Sequence, residues 1–294
     1  MSNLTIRILV AVVGIPLILL LTLAGGFYFF GLIAIVSGVG LYEYYSLARV
    51  KGIKPQVVLG LVFGFCVNAV FIHDKLQRAL LETLAAYSIS VPLPSMAQLF
   101  LIEFLLFIPL ILLLELFRNS GSALANVAST VTGVCYVSMS LGSLVGLREL
   151  FVPNDMVYEW GAMTVIAVFA SIWVCDSVAY FAGRALGKHK LSERVSPKKT
   201  WEGAVAGFIG AVGAFVVARY LALPYMSLAS ALICGGVVGV FGQFGDMVES
   251  LLKRDAGVKD SSSLIPGHGG VLDRFDSLIF VSPLIFFYLN FVVF

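Results

Sequence analysis

Gln243, Asp246, Ser250 and Lys253 stand at i, i+3, i+7 and i+10, a single polar stripe on a helix that runs out of an apolar segment. Asp273 and Asp276, three apart, precede the next apolar segment and share a face if its helix begins before them. Asp176 lies inside another apolar run, and Tyr180 and Arg184, four and eight residues on, extend its face. Several carboxylates without a Cys or His pair at ligating spacing suit a hard cation with oxygen ligands, Mg²⁺ before Zn²⁺. The opposite charge comes from Ser196-Pro197-Lys198-Lys199-Thr200-Trp201-Glu202-Gly203, which has the residues of a helix start: hydroxyl caps, a proline suited to the first turn, and an acid soon after. Free N–H groups there, with two lysines and two hydroxyls, make a phosphate site. Anchoring by lipid headgroups also accounts for the charge, though not for the order of the residues. Acids for a metal opposite a basic, hydroxyl-rich loop describe a site for a polyphosphate and a lipid phosphate. A phosphate monoester, with a second pKa near ~6, is already largely an anionic nucleophile at neutral pH, so metal and cations matter more than a general base. The pattern GxxxxGK[ST] is absent, which excludes a P-loop enzyme.

The elements that must position these groups are membrane helices. The 294 residues are 60% hydrophobic and 12% charged, with mean hydropathy +0.99, far from the roughly 45–50% apolar content of soluble domains. Apolar runs near the ~20 residues that cross a bilayer recur along the chain. The predicted fold is an all-α polytopic bundle of about nine spans, over 5–24, 26–47, 56–73, 97–117, 123–147, 161–183, 201–219, 226–246 and 277–294. With the N-terminus in the cytoplasm, every Lys and Arg falls inside except Lys75, Arg78, Arg148 and Arg219, and the positive-inside rule selects that orientation. The polar connections 184–200 and 247–276 then share the cytoplasmic face, and 74–96 is an external segment with a short interfacial helix. The chain divides into an N-terminal region 1–96, a middle region 97–160 and a catalytic region 161–294. An Asp at mid-membrane costs roughly 2.5–3.5 kcal/mol, yet Glu43, Glu115, Asp176 and Asp246 gather toward one end of their spans. Glu43 and Glu115 read as helix-end residues reaching the interface, and Glu249 as an ordinary helix partner of Lys253. The ladder Gly236, Gly239, Gly242, Gly245 reads as close helix packing, with close approach of a ligand as the competitor where it ends against Asp246. Cys66, Cys135, Cys175 and Cys234 read as small packing residues.

The run S-L-L-K-R-D-A-G-V-K-D-S-S-S-L-I-P-G-H-G-G-V-L-D-R-F-D, Ser250 to Asp276, resembles the complete signature of the phosphatidate cytidylyltransferases, or CDP-diacylglycerol synthases. The segments D-S-V-A-Y-F-A-G-R from Asp176 and S-P-K-K-T-W-E-G from Ser196 are similar to the same family, so the resemblance covers residues 171–294; the N-terminal half agrees mainly in being multi-span. It implies a nucleotidyltransferase of phospholipid biosynthesis that converts CTP and phosphatidate to CDP-diacylglycerol and pyrophosphate. It further implies Mg²⁺, with a monovalent cation such as K⁺, and a funnel-shaped cavity in a homodimeric bundle, open to the cytosol and laterally to lipid. Asp246 and Asp273 map onto its metal-associated acids, with Asp276 as second ligand or orienting partner. Lys259, Arg274 and His268 join them as catalytic candidates. Asp176, Ser196, Lys198, Lys199, Thr200, Lys253, Arg254 and Asp260 are the substrate-binding candidates; which cation serves CTP and which serves the lipid stays open. His268 is either a phosphate contact or a structural hydrogen-bonder, and Ser261, Ser262 and Ser263 are either phosphate donors or a solvated turn. The expected partners are the two substrates, the bilayer and a second copy of the chain, with no nucleic acid. The expected location is a bacterial inner membrane with the site facing the cytoplasm. A CDP-archaeol synthase-like enzyme or another lipid-phosphate nucleotidyltransferase is the nearest alternative. An ion-coupled transporter is the alternative from a different class; it predicts acids at the midplane and related half-repeats, and neither is visible here.

Overall fold

The computed structural model describes residues 3–87, 92–151 and 157–294. In chain order the helices are α1 (Asn3–Ala24), α2 (Gly26–Val50), α3 (Val57–Val70), α4 (His73–Ala86) and α5 (Met96–Leu116). They continue as α6 (Ala123–Arg148), α7 (Tyr158–Leu186), α8 (Trp201–Ala222), α9 (Leu228–Asp255) and α10 (Leu272–Val293). Between α7 and α8 the chain forms an antiparallel hairpin of β1 (Lys190–Ser192) and β2 (Ser196–Thr200), in register Lys190↔Thr200 and Ser192↔Ser196. Leu, Ile, Val and Phe cover the outward faces, as at Leu101, Leu105, Leu112 and Leu116 of α5, which only a hydrocarbon solvent tolerates over so large an area. The core is built on α2, α6, α7 and α10, where Phe29, Ile33, Leu144, Val165, Val168 and Val281 are fully buried.

Among the described residues, eight helices are long and apolar enough to cross a membrane, and α3 with α4 forms a pair bent by 79°. The fourteen residues of α3 rise about 21 Å, short of a ~30 Å hydrocarbon core. Its two ends nevertheless reach opposite ends of α6. Before α3, Gln56 donates its backbone N–H to Thr130 Oγ1 at 2.9 Å, and after it Lys75 pairs with Glu149 at 2.6 Å. Counted as one span, the bent pair brings the total among the described residues to nine, and α4 occupies the first part of 74–96, where a short helix was expected.

Glycine sets the spacing around the future site. A Cβ on Gly203 or Gly207 would stand 2.7 Å from Ala179 O or 2.9 Å from Cys175 O, so α7 and α8 touch backbone to backbone and Asp176 comes level with Lys199. A Cβ on Gly245 would stand 2.5 Å from Asp276 O, which brings Asp246 beside Asp276. In the ladder Gly236–Gly245, Gly239 and Gly245 have neighbours that close, while Gly236 and Gly242 have none within 3.4 Å. α9 outlasts its apolar stretch by about two turns, and α10 starts five residues before 277, so all the acids of the stripe stand on helices.

Candidate active site

The acidic ends of α7, α9 and α10 meet at one end of the bundle around a cavity of about 1530 Å³, open mouth included. Asp176, Asp246, Asp273 and Asp276 line it, and so do Lys253, Asp260, His268 and Arg274 from the signature. Asp246 accepts from Ser250 Oγ at 3.3 Å through Oδ1 and pairs through Oδ2 with Lys199 at 2.7 Å, where both side chains are partly exposed. Asp273 is held more tightly. Its Oδ1 faces Lys253 Nζ at 2.5 Å, and its Oδ2 accepts from the N–H groups of Ser261 at 2.9 Å and Gly270 at 2.7 Å. Lys253 is itself shared with Glu249, which is fully buried. Asp276 accepts the N–H of Ser277 at 2.7 Å.

A second cavity, about 1320 Å³, shares Asp176 and Asp246 with the first. Its other wall is cationic: Arg184 from α7, Lys190 from β1, and Lys198 and Lys199 from β2, with Tyr180, Thr200 and Gln243 beside them. The hairpin produces this wall. Expected as a first helical turn, Ser196-Pro197 instead lie on β2, an edge strand that tolerates proline. Thr200 is the cap of α8, accepting from Gly203 N at 3.2 Å. The N–H of Trp201 goes to His189 O, and Glu202 in the first turn pairs with the His189 ring, so the helix start is largely engaged and the lysines supply the positive field.

The signature loop is clamped from the N-terminal half. Glu43, on α2 and 3% exposed, accepts the N–H groups of Val271 at 3.0 Å and Leu272 at 2.7 Å, together with hydroxyls from Ser261 at 2.9 Å and Ser262. A carboxylate at the start of α10 satisfies N–H groups that a helix leaves unpaired. Gly270 must lack a side chain, because a Cβ there would stand 2.0 Å from Ser261 Oγ. Gly267 and Gly269, at φ +76° and +84°, fold Pro266-Gly267-His268-Gly269 into a tight turn closed by Ile265 N to Gly269 O. That turn carries His268 to the cavity wall with its Nδ1 buried and unpartnered, and Arg274 Nε donates to His268 O at 2.9 Å.

Of the residues singled out by sequence, eight line the first cavity, and Lys198, Lys199 and Thr200 line the second. Ser196, Arg254 and Lys259 line neither: Arg254 caps Val258 O, and Lys259 projects from the loop. Sequence reasoning passed over Lys190, and it read Glu43 and Glu249 as structural helix residues. The pairing of β1 with β2 carries the signal for Lys190; for Glu43 only the cost of burying an acid pointed inward. Among the described residues no three His, Cys, Asp or Glu side chains converge on a single metal point. The donor set still fits a hard divalent ion. Two acids face one cavity, each with an ammonium group where a cation's charge would stand, and Mg²⁺ ordinarily uses one or two carboxylates plus phosphate and water.

A sequence model described as the cytidylyltransferase family matches residues 5–292. A phosphatidate cytidylyltransferase of Synechocystis sp. is 35% identical over 97% of this chain and 96% of its own length. One from Bacillus subtilis is 32% identical over 96% of each, and a chloroplastic one from Arabidopsis thaliana is 29% identical over 91% of this chain and 68% of its own. With the match running through α1 as well as the signature, the chain belongs to the cytidylyltransferase family.

Proposed function

We propose that this integral membrane protein is a phosphatidate cytidylyltransferase, transferring the cytidylyl group of CTP to phosphatidate and releasing pyrophosphate. The observation that carries the reading is the pair of cavities meeting at Asp176 and Asp246: one walled by cations, the other running from acids into an apolar wall. Two anionic substrates, one from water and one from lipid, need such a junction. Lys198, Lys199, Lys190 and Arg184 neutralise and hold the triphosphate; Arg274, Lys253 and His268 receive the phosphate of the lipid. A phosphatidate oxygen attacks the α-phosphorus in line, the α–β bridging bond breaks, and pyrophosphate leaves with the bonding electrons. No covalent enzyme intermediate is required. Asp246 and Asp273, with Asp276 orienting, are the acids that would hold Mg²⁺, which when bound supplies charge neutralisation at the phosphates; a monovalent cation such as K⁺ belongs to the same reading. Lys199 and Lys253, which pair with those same acids, are the cations that would serve the phosphate oxygens were the acids engaged by an ion. The lysine and arginine distribution supports a cytoplasm-facing site in a plasma membrane, with the N-terminus on the same side, and a homodimer is the proposed assembly.

The test is purified protein in detergent with CTP, dCTP or ATP and phosphatidate. Pyrophosphate release that requires both CTP and phosphatidate, matched one to one by CDP-diacylglycerol, is the expected result. Release of none, as a carrier would give, overturns the reading.

A further inference from the structure

The first helix is held at its ends and open in its middle. At the site end, Arg7 Nε donates to Gly267 O of the signature turn at 2.7 Å. At the other end, Arg148 Nε and Nη2 grip Thr22 O and Leu23 O at 2.6 and 3.0 Å. Between these ties Val10, Ala11, Gly14 and Ile18, one face of the helix by their spacing, line the acid cavity opposite Phe169 and Trp173 of α7. A Cβ on Gly14 would meet nothing within 4 Å. The void is thus continuous from an apolar slot to Arg274, His268 and the acids.

We infer that the slot between α1 and α7 is the seat of an acyl chain of the lipid substrate, and that Gly14 sets how much chain it admits. This rests on the proposed transfer to phosphatidate. The occupant follows from the shape and charge of the cavity: it takes a molecule with an anionic head and a hydrocarbon tail, the head at Arg274 and the tail along Val10 to Ile18. The eight helical rises from Val10 to Ile18 give the slot about 12 Å of length. Gly14 lies seven residues, about 10 Å, beyond Arg7, a depth at which a hexanoyl chain is close to its end and a palmitoyl chain still has most of its methylenes to place. The missing side chain leaves the slot its width there.

The experiment compares dihexanoyl and dipalmitoyl phosphatidate in mixed micelles, with Gly14→Phe, the milder Gly14→Leu, and Val12→Phe on the lipid-facing side of the same helix, where Val12 is 63% exposed. Gly14→Phe is expected to raise KM for the dipalmitoyl lipid about tenfold, the effect of roughly two methylenes losing their burial, with KM for dihexanoyl lipid and CTP within about twofold of wild type. Gly14→Leu gives an intermediate shift, and Val12→Phe none. An equal effect of Gly14→Leu and Gly14→Phe on both lipids, no effect on either, or the same shift from Val12→Phe overturns the assignment of the slot. Wild-type protein that turns over neither lipid instead overturns the function on which it rests.

Discussion

Charge is concentrated at both ends of this bundle, and the two ends use it differently. At the far end Arg148, 1% exposed, spends its donors on carbonyls of α1 and lies over the Tyr158 ring at 4.2 Å. Its neighbour Glu149 takes Lys75 at 2.6 Å, the N–H of Gly26 at 2.7 Å and the Tyr158 hydroxyl at 3.0 Å. Arg148, Glu149 and Lys75 are thus all met by groups of the protein. At the site end Asp246 and Lys199 are a partly exposed pair, Asp176 and Arg184 stand open on cavity walls, and His268 Nδ1 is buried without a partner. Closed networks hold helices together; charge left facing a void awaits a ligand. Burial alone does not separate the two cases, since Glu43 and Glu249 at the site end are as buried as Arg148.

Substitution on the two ends should therefore divide stability from catalysis. Arg148→Met carries the largest expected effect on stability: it leaves the buried carbonyls of Thr22 and Leu23 without their donors, each costing about 1–3 kcal/mol, while Glu149 keeps Lys75. The expected readout is a lowered melting temperature in detergent with specific activity per folded molecule retained; loss of activity in protein that melts normally would erase the contrast between the ends. Asp246→Asn is the mirror case. It should reduce CDP-diacylglycerol formation about a hundredfold to a thousandfold, as removal of a transition-state electrostatic group does, with little change in melting and a weakened response to added Mg²⁺. Near-normal Mg²⁺-dependent turnover by this variant, or by Asp273→Asn, would remove that acid from the metal assignment.

Much of the site end was legible in the sequence because its logic is local. The stripe Gln243–Asp246–Ser250–Lys253 needs only helical periodicity, and Asp273 and Asp276 needed only that α10 begin before them. The hairpin was missed because Ser-Pro-Lys-Lys-Thr satisfies the chemistry of a helix start and of a strand ending in a Thr cap equally well, and pairing with 190–192 is not local. Glu43 was misread for the same reason. Its partners are 218 to 229 residues away, and no spacing rule links an acid on α2 to a loop before α10. The short α3 was placed correctly in sequence, but its length fell below what a hydropathy run conveys.

Glu43 sharpens the comparison because it is a closed network located at the open end. Glu43→Gln keeps the size of the side chain but turns an NH₂ toward two of four donors, and each donor left unmet costs about 1–3 kcal/mol. Both readouts should move together: melting falls, and kcat falls as the loop slackens around Asp273, while KM for CTP, whose cations stand on the hairpin, changes little. A rise in KM for CTP at constant kcat would place Glu43 in the nucleotide site instead of behind the loop.

The smallest expected effect separates two adjacent lysines. Lys199 is paired with Asp246 at the junction of the cavities, whereas Lys198 is more exposed on the outer reach of the cationic wall. An exposed charge contact is worth about 0.2–1 kcal/mol, so Lys198→Met should raise KM for CTP by no more than about fivefold. Screening shortens to about 3 Å at 1 M salt, so that difference from wild type should vanish as salt is added. The defect of Lys199→Met should persist, because Lys199 stands paired at the junction, less exposed than the outer wall, where salt screens a charge contact much less. Equal salt dependence of the two variants would mean that the wall acts as a diffuse field and that the junction has no privileged cation.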